Sequence, residues 1–416
     1  MKFVKYNIAQ EIKDNLEKEG FKSPTDIQYK SIPHILKGED VMAIAQTGTG
    51  KTAAFAIPII HKIHSKKRSK KDGGIKCLVM VPTRELADQI TKVFLKLEVN
   101  TFVSTICIYG GVEQAAQIKQ LNDGADILVA TPGRMFDLIN QGVVNLDSID
   151  TLILDEADQM LALGFYKDIK DVLKRIPRYH QTLFFSATIN EEIKDLAYSI
   201  VKNPIRIQIS PKDRVNKNIN HSVAFIEMDD KRFFLERIIK QNPDSKIMVF
   251  VRTKVRAERV LNAMKRVEIS AETLHGDKEQ MERSATLNRF RSGETKILIA
   301  TDVSARGIDI EGVEYVVNYD LPDIAENYVH RVGRTGRGTK RGTAISFCAT
   351  EEKEMLKEIQ EYLEKPVAVL EIDASDYEKT IDLTSDTSKD DWRSLVKEAI
   401  QLEDNFKPKP KKVKKR

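Results

Sequence analysis

Between a short apolar, partly β-branched run, Val41 to Ala45, and a stretch of helical composition, Thr52 to Ile63, the chain inserts a glycine-spaced turn, so that Ala45 to Thr52 read AQTGTGKT. Strand, glycine turn and helix in that order make a phosphate loop. Gly48 and Gly50 let backbone N–H groups turn inward around phosphate oxygens, and the helix N-terminus adds partial positive charge. Lys51 reaches the terminal phosphates and the Thr52 hydroxyl is left to hold Mg2+. In isolation the same letters also describe an ordinary tight turn with a solvated lysine.

A second feature narrows the choice. Thr151 to Leu154 (TLIL) is another buried-strand pattern, and it ends in Asp155-Glu156-Ala157-Asp158. Carboxylates at the carboxyl end of a parallel strand lie where open α/β sheets bind ligands. Asp155 is suited to hold Mg2+ through water, and Glu156 to orient and deprotonate an attacking water. Alone, Asp155 would read as a helix N-cap. Beside Lys51 and Thr52 it completes a site that grips a nucleotide triphosphate.

A chain of 416 residues has room for two or three domains. No uncharged apolar stretch approaches the roughly 18 residues of a membrane helix, and the opening MKFVKYNIAQ lacks a signal-peptide apolar segment. A cytoplasmic protein without a membrane partner is expected. Cys77, Cys107 and Cys348 are odd in number, far apart and without CxxC spacing, which argues against a disulfide framework and a zinc site. They read as reduced, buried thiols.

The net charge of +5 is unevenly placed: Lys407 to Arg416 (KPKPKKVKKR) alone carries +7, which leaves the remainder at −2. If the globular part binds a polyanion, placed arginines and backbone amides must do it. The basic tail, and the run Lys66-Lys67-Arg68-Ser69-Lys70-Lys71, read most simply as solvated disordered segments that help locally.

Residues 1–206 alternate apolar runs (Val41 to Ala45, Cys77 to Val81, Ser104 to Tyr109, Asp126 to Ala130, Thr151 to Leu154, Thr182 to Phe185) with helical stretches such as Arg84 to Leu97. That pattern predicts an α/β domain with a parallel sheet. Residues 207–220 read as a polar linker. A second series follows in residues 221–372: Val223 to Ile226, Ile247 to Val251, Ala271 to Leu274, Ile297 to Ala300, Tyr315 to Asn318 and Ala344 to Cys348. It predicts a second sheet of the same class without a phosphate loop. Residues 373–416 turn polar and are expected to be mostly disordered beyond a short helix over Trp392 to Leu402.

The second domain carries His330-Arg331-Val332-Gly333-Arg334-Thr335-Gly336-Arg337. Arginines spaced by three with glycines between them can extend guanidinium groups toward a transferring phosphate, although a basic surface turn has the same composition. The first domain needs such a partner, so hydrolysis would require the two domains to close, with ATP between them.

With these residues in view the chain resembles the DEAD-box RNA helicases of superfamily two, in order over about residues 3–348. The resemblance implies two tandem RecA-like domains, a short linker and a basic disordered C-terminal tail. Phe3 precedes Gly20-Phe21-Lys22-Ser23-Pro24-Thr25-Asp26-Ile27-Gln28, which is similar to the family's Q motif with Asp26 where proline is common. Phe21 would stack on adenine and the Gln28 amide would pair with its edge, which implies ATP. Pro82-Thr83-Arg84-Glu85-Leu86, Gly110-Gly111 and Thr131-Pro132-Gly133-Arg134 resemble loops that hold an RNA backbone, with Arg84, Gly110, Gly111, Thr131, Gly133 and Arg134 as contacts. Ser186-Ala187-Thr188 resembles the motif that couples nucleotide state to RNA through Asp158.

In the second domain Val249-Phe250-Val251-Arg252-Thr253 resembles motif IV, while Gln280, Arg283 and Thr301 are implied RNA contacts and Asp309 an implied ribose contact. Arg334 and Arg337 would be the arginine fingers, with His330 and Arg331 tying the domain interface to Gln46 and its neighbours. The remaining loop residues Ala45, Thr47 and Thr49 would line the ATP site. The implied activity is RNA-stimulated ATP hydrolysis that drives domain closure and separates short duplexes with weak sequence specificity. An RNA clamp, a DNA translocase and a metabolic P-loop kinase are the other readings, the last lacking any need for the second sheet. The short tail resembles the bacterial RhlE subgroup, a monomer whose partner proteins would belong to ribosome assembly or RNA decay.

Overall fold

The computed structural model describes residues 2–382 apart from 47, 68–73, 190, 210–214, 306–309, 311 and 337–340. Thr47, Asp309, Arg337, most of the basic run after Lys67, the Trp392 to Leu402 helix and the Lys407 to Arg416 tail lie outside the described residues. The chain divides into two units, Met1–Lys212 and Asp213–Arg416.

In the first unit seven strands form one parallel sheet: β1 (Val41–Ala45), β2 (Cys77–Met80), β3 (Thr105–Ile108), β4 (Ile127–Ala130), β5 (Thr151–Leu154), β6 (Gln181–Ser186) and β7 (Ile205–Ile209), in the order β3-β4-β2-β5-β6-β1-β7. The inner strands are continuous apolar runs because helices cover both faces of the sheet. Val41, Ala43 and Ala45 point into one core, and Met42 and Ile44 into the other. Since every strand runs the same way, the segments after β1, β2, β3, β4, β5 and β6 emerge at one end. There β6 separates the phosphate loop after β1 from the acidic box after β5.

The second unit repeats the plan with β8 (Ile219–Phe225), β9 (Lys246–Val251), β10 (Glu272–Leu274), β11 (Ile297–Thr301), β12 (Val313–Asn318), β13 (Gly342–Cys348) and β14 (Ala368–Val369), in the order β10-β11-β9-β12-β13-β8-β14. Here too the side chains alternate between two cores, Ile247, Val249 and Val251 entering one and Met248 and Phe250 the other.

Three segments differ from the sequence expectation. Residues 207–209 finish β7 and 219–220 begin β8, so both ends of the expected linker are strand. The outer strand β7 exposes Arg206 and Gln208, and that polar alternation hid it. The two-residue β14, exposed at both positions, was not anticipated either. Within the expected disordered tail, Ala374–Asp382 is helical. Tyr377 lies with its ring centroid 4.9 Å from that of Phe234, its hydroxyl donates to Asp230 at 2.9 Å, and Arg237 pairs with Asp376 at 2.9 Å. One aromatic and one ion pair thus dock a segment whose composition is otherwise polar.

Among the described residues no helix is long and apolar enough to cross a membrane. The three cysteines are free thiols, and burial pushes Cys107 up to about 12 and Cys348 to about 11.

Candidate active site

The phosphate loop turns on Gly48 and Gly50, whose φ angles of 81° and 91° are left-handed and strain any L side chain. Gly50 is also the N-cap of the helix Lys51–Lys66, and Thr49 Oγ1 steadies the turn by donating to the Gln46 carbonyl at 2.8 Å. Gly50 has a second constraint, because a Cβ there would sit 2.5 Å from Gln28 Nε2. That amide is fixed at both ends. Nε2 donates to the Gly50 carbonyl at 3.1 Å, and Oε1 accepts from Thr25 N at 3.0 Å in a capping box that opens the helix Asp26–Lys37. The T-x-x-Q spacing is a signature of that box that the sequence reading passed over, and nothing local signals its link to the phosphate loop. Phe21 packs on the same core with Phe3 edge-on, ring centroids 6.3 Å apart.

Lys51 is the first residue of its helix and only 7% exposed, and its Nζ makes no hydrogen bond among the described residues. Its charge is felt by Asp155, 2% exposed at the end of β5. Burial raises the Asp155 carboxyl above its ordinary range, while Lys51 and the Glu156 N–H, which donates to Oδ1 at 3.0 Å, oppose the rise. Glu156 itself is buried with φ at 51°, a left-handed angle at a non-glycine residue. Such strain is held only where the surroundings over-determine it.

No group of three or more histidine, cysteine or acidic side chains is placed so that together they could hold a metal ion, here or elsewhere among the described residues. That donor set suits Mg2+, which keeps most of its water and takes one or two protein oxygens plus phosphate, and it does not suit a cation that needs a protein cage. Thr52, half-buried at the position after Lys51, carries a hydroxyl of the kind such a site uses. An ammonium buried without a hydrogen bond suits an anionic ligand for the same reason.

Asp158 faces the loop after β6. Its Oδ2 accepts from Ala187 N at 3.2 Å, Thr188 N at 3.1 Å and Thr188 Oγ1 at 3.2 Å. Ser186 stays out of this cluster and donates instead to the Thr188 carbonyl at 2.7 Å.

The loops after β2, β3 and β4 are tied to one another. Thr83 caps the helix Arg84–Leu97 by accepting from Leu86 N. The Arg84 guanidinium lies on Gly111, where a Cβ would come within 2.7 Å of its Cζ. A side chain at Gly111 would displace the Arg84 guanidinium and would be strained by the left-handed φ of 78°. Arg134 donates to Gln117 Oε1 at 3.0 Å and to the Val112 carbonyl at 3.1 Å, bracing the loop that holds Gly110 and Gly111. Thr131 sits at the N-cap of the helix Pro132–Asn140, which Gly133 continues.

In the second unit Thr301 ends β11, Gln280 starts the helix Gln280–Ser292, and Arg283 donates to the His275 carbonyl at 3.0 Å and to Ser304 Oγ at 3.2 Å. Arg331 is held by partners in its own unit. It is 1% exposed, forked onto Asp302 at 2.5 and 2.7 Å, bonded to the Asp320 carbonyl at 2.6 Å and stacked 5.2 Å from the Phe250 ring centroid. Each guanidinium nitrogen is hydrogen-bonded inside its own unit. Asp302 lies 29 residues away in sequence, and no local pattern announced it. Arg334 is also buried, its Nε donating to the His330 carbonyl at 3.0 Å, and His330 is half-buried.

The sequence profile of the DEAD/DEAH box helicase family matches residues 25–196, and that of the helicase conserved C-terminal domain matches residues 230–339. The ATP-dependent RNA helicase CshA of Listeria monocytogenes is 39% identical over 370 residues, covering 89% of this chain and 70% of that protein. The DEAD-box ATP-dependent RNA helicase CshA of Bacillus subtilis is 38% identical over 361 residues, 86% of this chain and 72% of that one. Among solved structures, S. cerevisiae Dbp5 bound to RNA and ADP BeF3 is similar at TM-score 0.80 and 29% identity, covering 96% of this chain and 99% of that one. DEAD-box helicase Mss116 bound to ssRNA and UDP-BeF is similar at TM-score 0.81 and 27% identity, covering 96% and 87%. These relatives carry the CshA name, so the expected RhlE placement draws no support from them.

Proposed function

This chain belongs to the DEAD-box ATP-dependent RNA helicases, and from that premise we propose that it hydrolyses ATP when RNA draws its two units together, the closed form bending one strand and parting a short duplex. The observation that carries the reading is the Lys51 ammonium, buried without a hydrogen bond beside the buried Asp155 carboxylate. A triphosphate satisfies the first and, with Mg2+, the second.

In this reading residues 1–206 form the ATP-binding domain and 221–372 its helicase partner. Backbone N–H groups of residues 46–50 cradle phosphate, and Lys51 neutralises its terminal oxygens. Asp155 and Thr52 would hold Mg2+, which when bound would screen charge on the transferring group. Glu156 orients the attacking water and accepts its proton, its left-handed backbone aiming the carboxylate from the strand end. Phe21 stacks on adenine, and Gln28, with one amide hydrogen and one lone pair still available, pairs with the base edge. Asp309 takes the ribose. Arg334 and Arg337 stabilise the transferring charge, which requires Arg334 to leave the His330 carbonyl on closure.

Asp158 holds the Ser186 to Thr188 turn, so a change at the acidic box reaches the neighbouring loops as one rigid displacement. Arg84, Gly110, Gly111, Thr131, Gly133 and Arg134 receive the RNA backbone in the first unit, and Gln280, Arg283 and Thr301 in the second. Phosphate and ribose contacts of this kind carry little sequence preference. Arg331 supports this face from within the second unit. A monomer acting in the cytoplasm on structured RNA completes the proposal.

Two variants test it in the full chain. Lys51→Ala should lose ATP binding altogether, whereas Glu156→Gln should bind ATP, close on RNA and stay closed because the water is not activated. Normal ATP turnover by Glu156→Gln would remove the water-orienting role, and normal ATP binding by Lys51→Ala would remove the site.

A further inference from the structure

Residues 2–9 place Phe3, Tyr6 and Ile8 in the first core, all three buried. The main-chain hydrogen bonds of this opening segment stay local: Lys5 N donates to the Lys2 carbonyl, Tyr6 N to that of Phe3 and Ile8 N to that of Tyr6. The Tyr6 hydroxyl is buried without a hydrogen bond. Among the described residues one hydrogen bond alone carries the segment beyond the helix Gln10–Lys18 that follows it: Ala9 N donates to His61 Nδ1 at 3.1 Å. Ala9 is also the joint with that helix, its carbonyl accepting from Lys13 N. Beyond the helix comes Phe21, against which Phe3 rests edge-on.

A backbone N–H can only donate, so His61 Nδ1 must carry a lone pair, and the ring holds the bond only while it is neutral. A second proton would set N–H against N–H. The charged groups around the ring do nothing to hold that proton. Lys13 faces it from the helix Gln10–Lys18 and His64 from its own helix, Lys51–Lys66, while Glu11 lies against His64 at 3.6 Å. The helices Asp26–Lys37 and Arg84–Leu97, packed on other sides of Lys51–Lys66, bring no charge to bear on it. Burial first, then His64 and Lys13, hold the imidazole below its ordinary 6.5. The bond is therefore complete above that value and is lost as pH falls through the lowered one.

We infer that His61 is a pH-sensitive latch on the opening segment: its protonation frees Ala9, loosens Phe3 from Phe21 and weakens nucleotide binding. The inference rests on the reading of Phe21 as the residue that stacks on adenine. Apolar burial of Phe3, Tyr6 and Ile8 keeps the segment near its place, so release of the latch tunes affinity rather than abolishing it.

The test measures equilibrium binding of a fluorescent ATP analogue with Mg2+ to the full chain between pH 8 and pH 5, in the wild type, His61→Asn and Ala9→Pro. Asparagine offers an acceptor oxygen close to the Nδ1 position and does not titrate. Proline at position 9 removes the donor and leaves His61 in place, and the Ala9 φ of −57° already suits it. His64 and Glu11 are common to all three proteins, so their own titration cancels in the ratios. One hydrogen bond of this kind corresponds to about three- to tenfold in an equilibrium constant. The wild-type dissociation constant should rise by about that factor more than that of His61→Asn as pH falls, and Ala9→Pro should bind more weakly than wild type at pH 8, the gap closing toward pH 5. Amide exchange over residues 3–9, taken as the ratio of wild type to His61→Asn at each pH, should rise over the same interval. Binding by all three proteins with pH-independent ratios would overturn the latch and leave the ATP site standing, as would the full wild-type pH step in Ala9→Pro. No binding by any of them at pH 8 would remove the ATP site and the latch with it.

Discussion

Glu156 combines a carboxylate with a backbone angle that no L residue prefers, and the two contributions separate cleanly in a pair of variants. Glu156→Ala and Glu156→Gly both remove the carboxylate, so whatever its burial contributes cancels between them. What remains is the φ of 51°. A side chain held there costs about 1–2 kcal/mol, and glycine escapes that cost but gives back about 0.5–1 kcal/mol through its greater freedom in the unfolded chain. Glu156→Gly should therefore be more stable than Glu156→Ala by about 0.5–1 kcal/mol, whereas at an ordinary helical position alanine wins by about 1 kcal/mol. Native-state hydrogen exchange over residues 151–163 of the full chain reads the difference, as exchange about two- to fivefold slower in the glycine variant. Both variants should be inert in ATP hydrolysis. Exchange in Glu156→Ala as slow as in Glu156→Gly, or slower, would refute the claim that the backbone at this residue is strained to aim its side chain.

Asp155 makes a pH prediction. Burial raises its folded carboxyl above the ordinary value of 3.8, so its contribution to stability is full below that value and is lost as pH rises through the raised one. Asp155→Asn carries no such loss, and its melting temperature relative to wild type should climb as pH rises above about 4, where a flat or falling difference would count against the assignment. Gly111→Ala should push the Arg84 guanidinium aside and strain a φ of 78°. Affinity for a single-stranded RNA, read by fluorescence anisotropy, should fall about tenfold with ATP affinity unchanged in the absence of RNA, and wild-type RNA affinity would show that Arg84 does not depend on the glycine.

Where strands are buried on both faces, their apolar runs stand out from the chain. β1 and β5 begin and end where the VMAIA and TLIL runs do, because nothing polar is tolerated between two covering layers of helix. The outer strand β7 was obscured for the converse reason: Arg206 and Gln208 face water and break the run. The helix Ala374–Asp382 escaped notice because it docks through one ring, one ion pair and a few hydrogen bonds rather than through an apolar face.

The site divides along similar lines. Glycines at Gly48 and Gly50, and the acidic cluster after β5, are residue types that only certain backbones or charges require, and they were legible. The partners of Arg331 were not, since Asp302 is brought to it by the sheet, and a fork onto a distant carboxylate leaves no trace in local spacing. Nor was the left-handed turn at Glu156, which uses a residue that ordinarily avoids that angle. Gly111 was legible as a close-approach position, but the approaching group within the protein, Arg84, was not.

The order β3-β4-β2-β5-β6-β1-β7 also governs how the first unit comes into being on the ribosome. Both neighbours of β1 are among the last strands made, and Ile205 follows Ala45 by 160 positions in the chain. At roughly 5–20 residues per second, the strand that bears the phosphate loop waits on the order of ten to thirty seconds for its flanking pair. During that interval VMAIA must be shielded by its own helices or by a chaperone, and a nascent chain released before Ile209 leaves β1 open along one side.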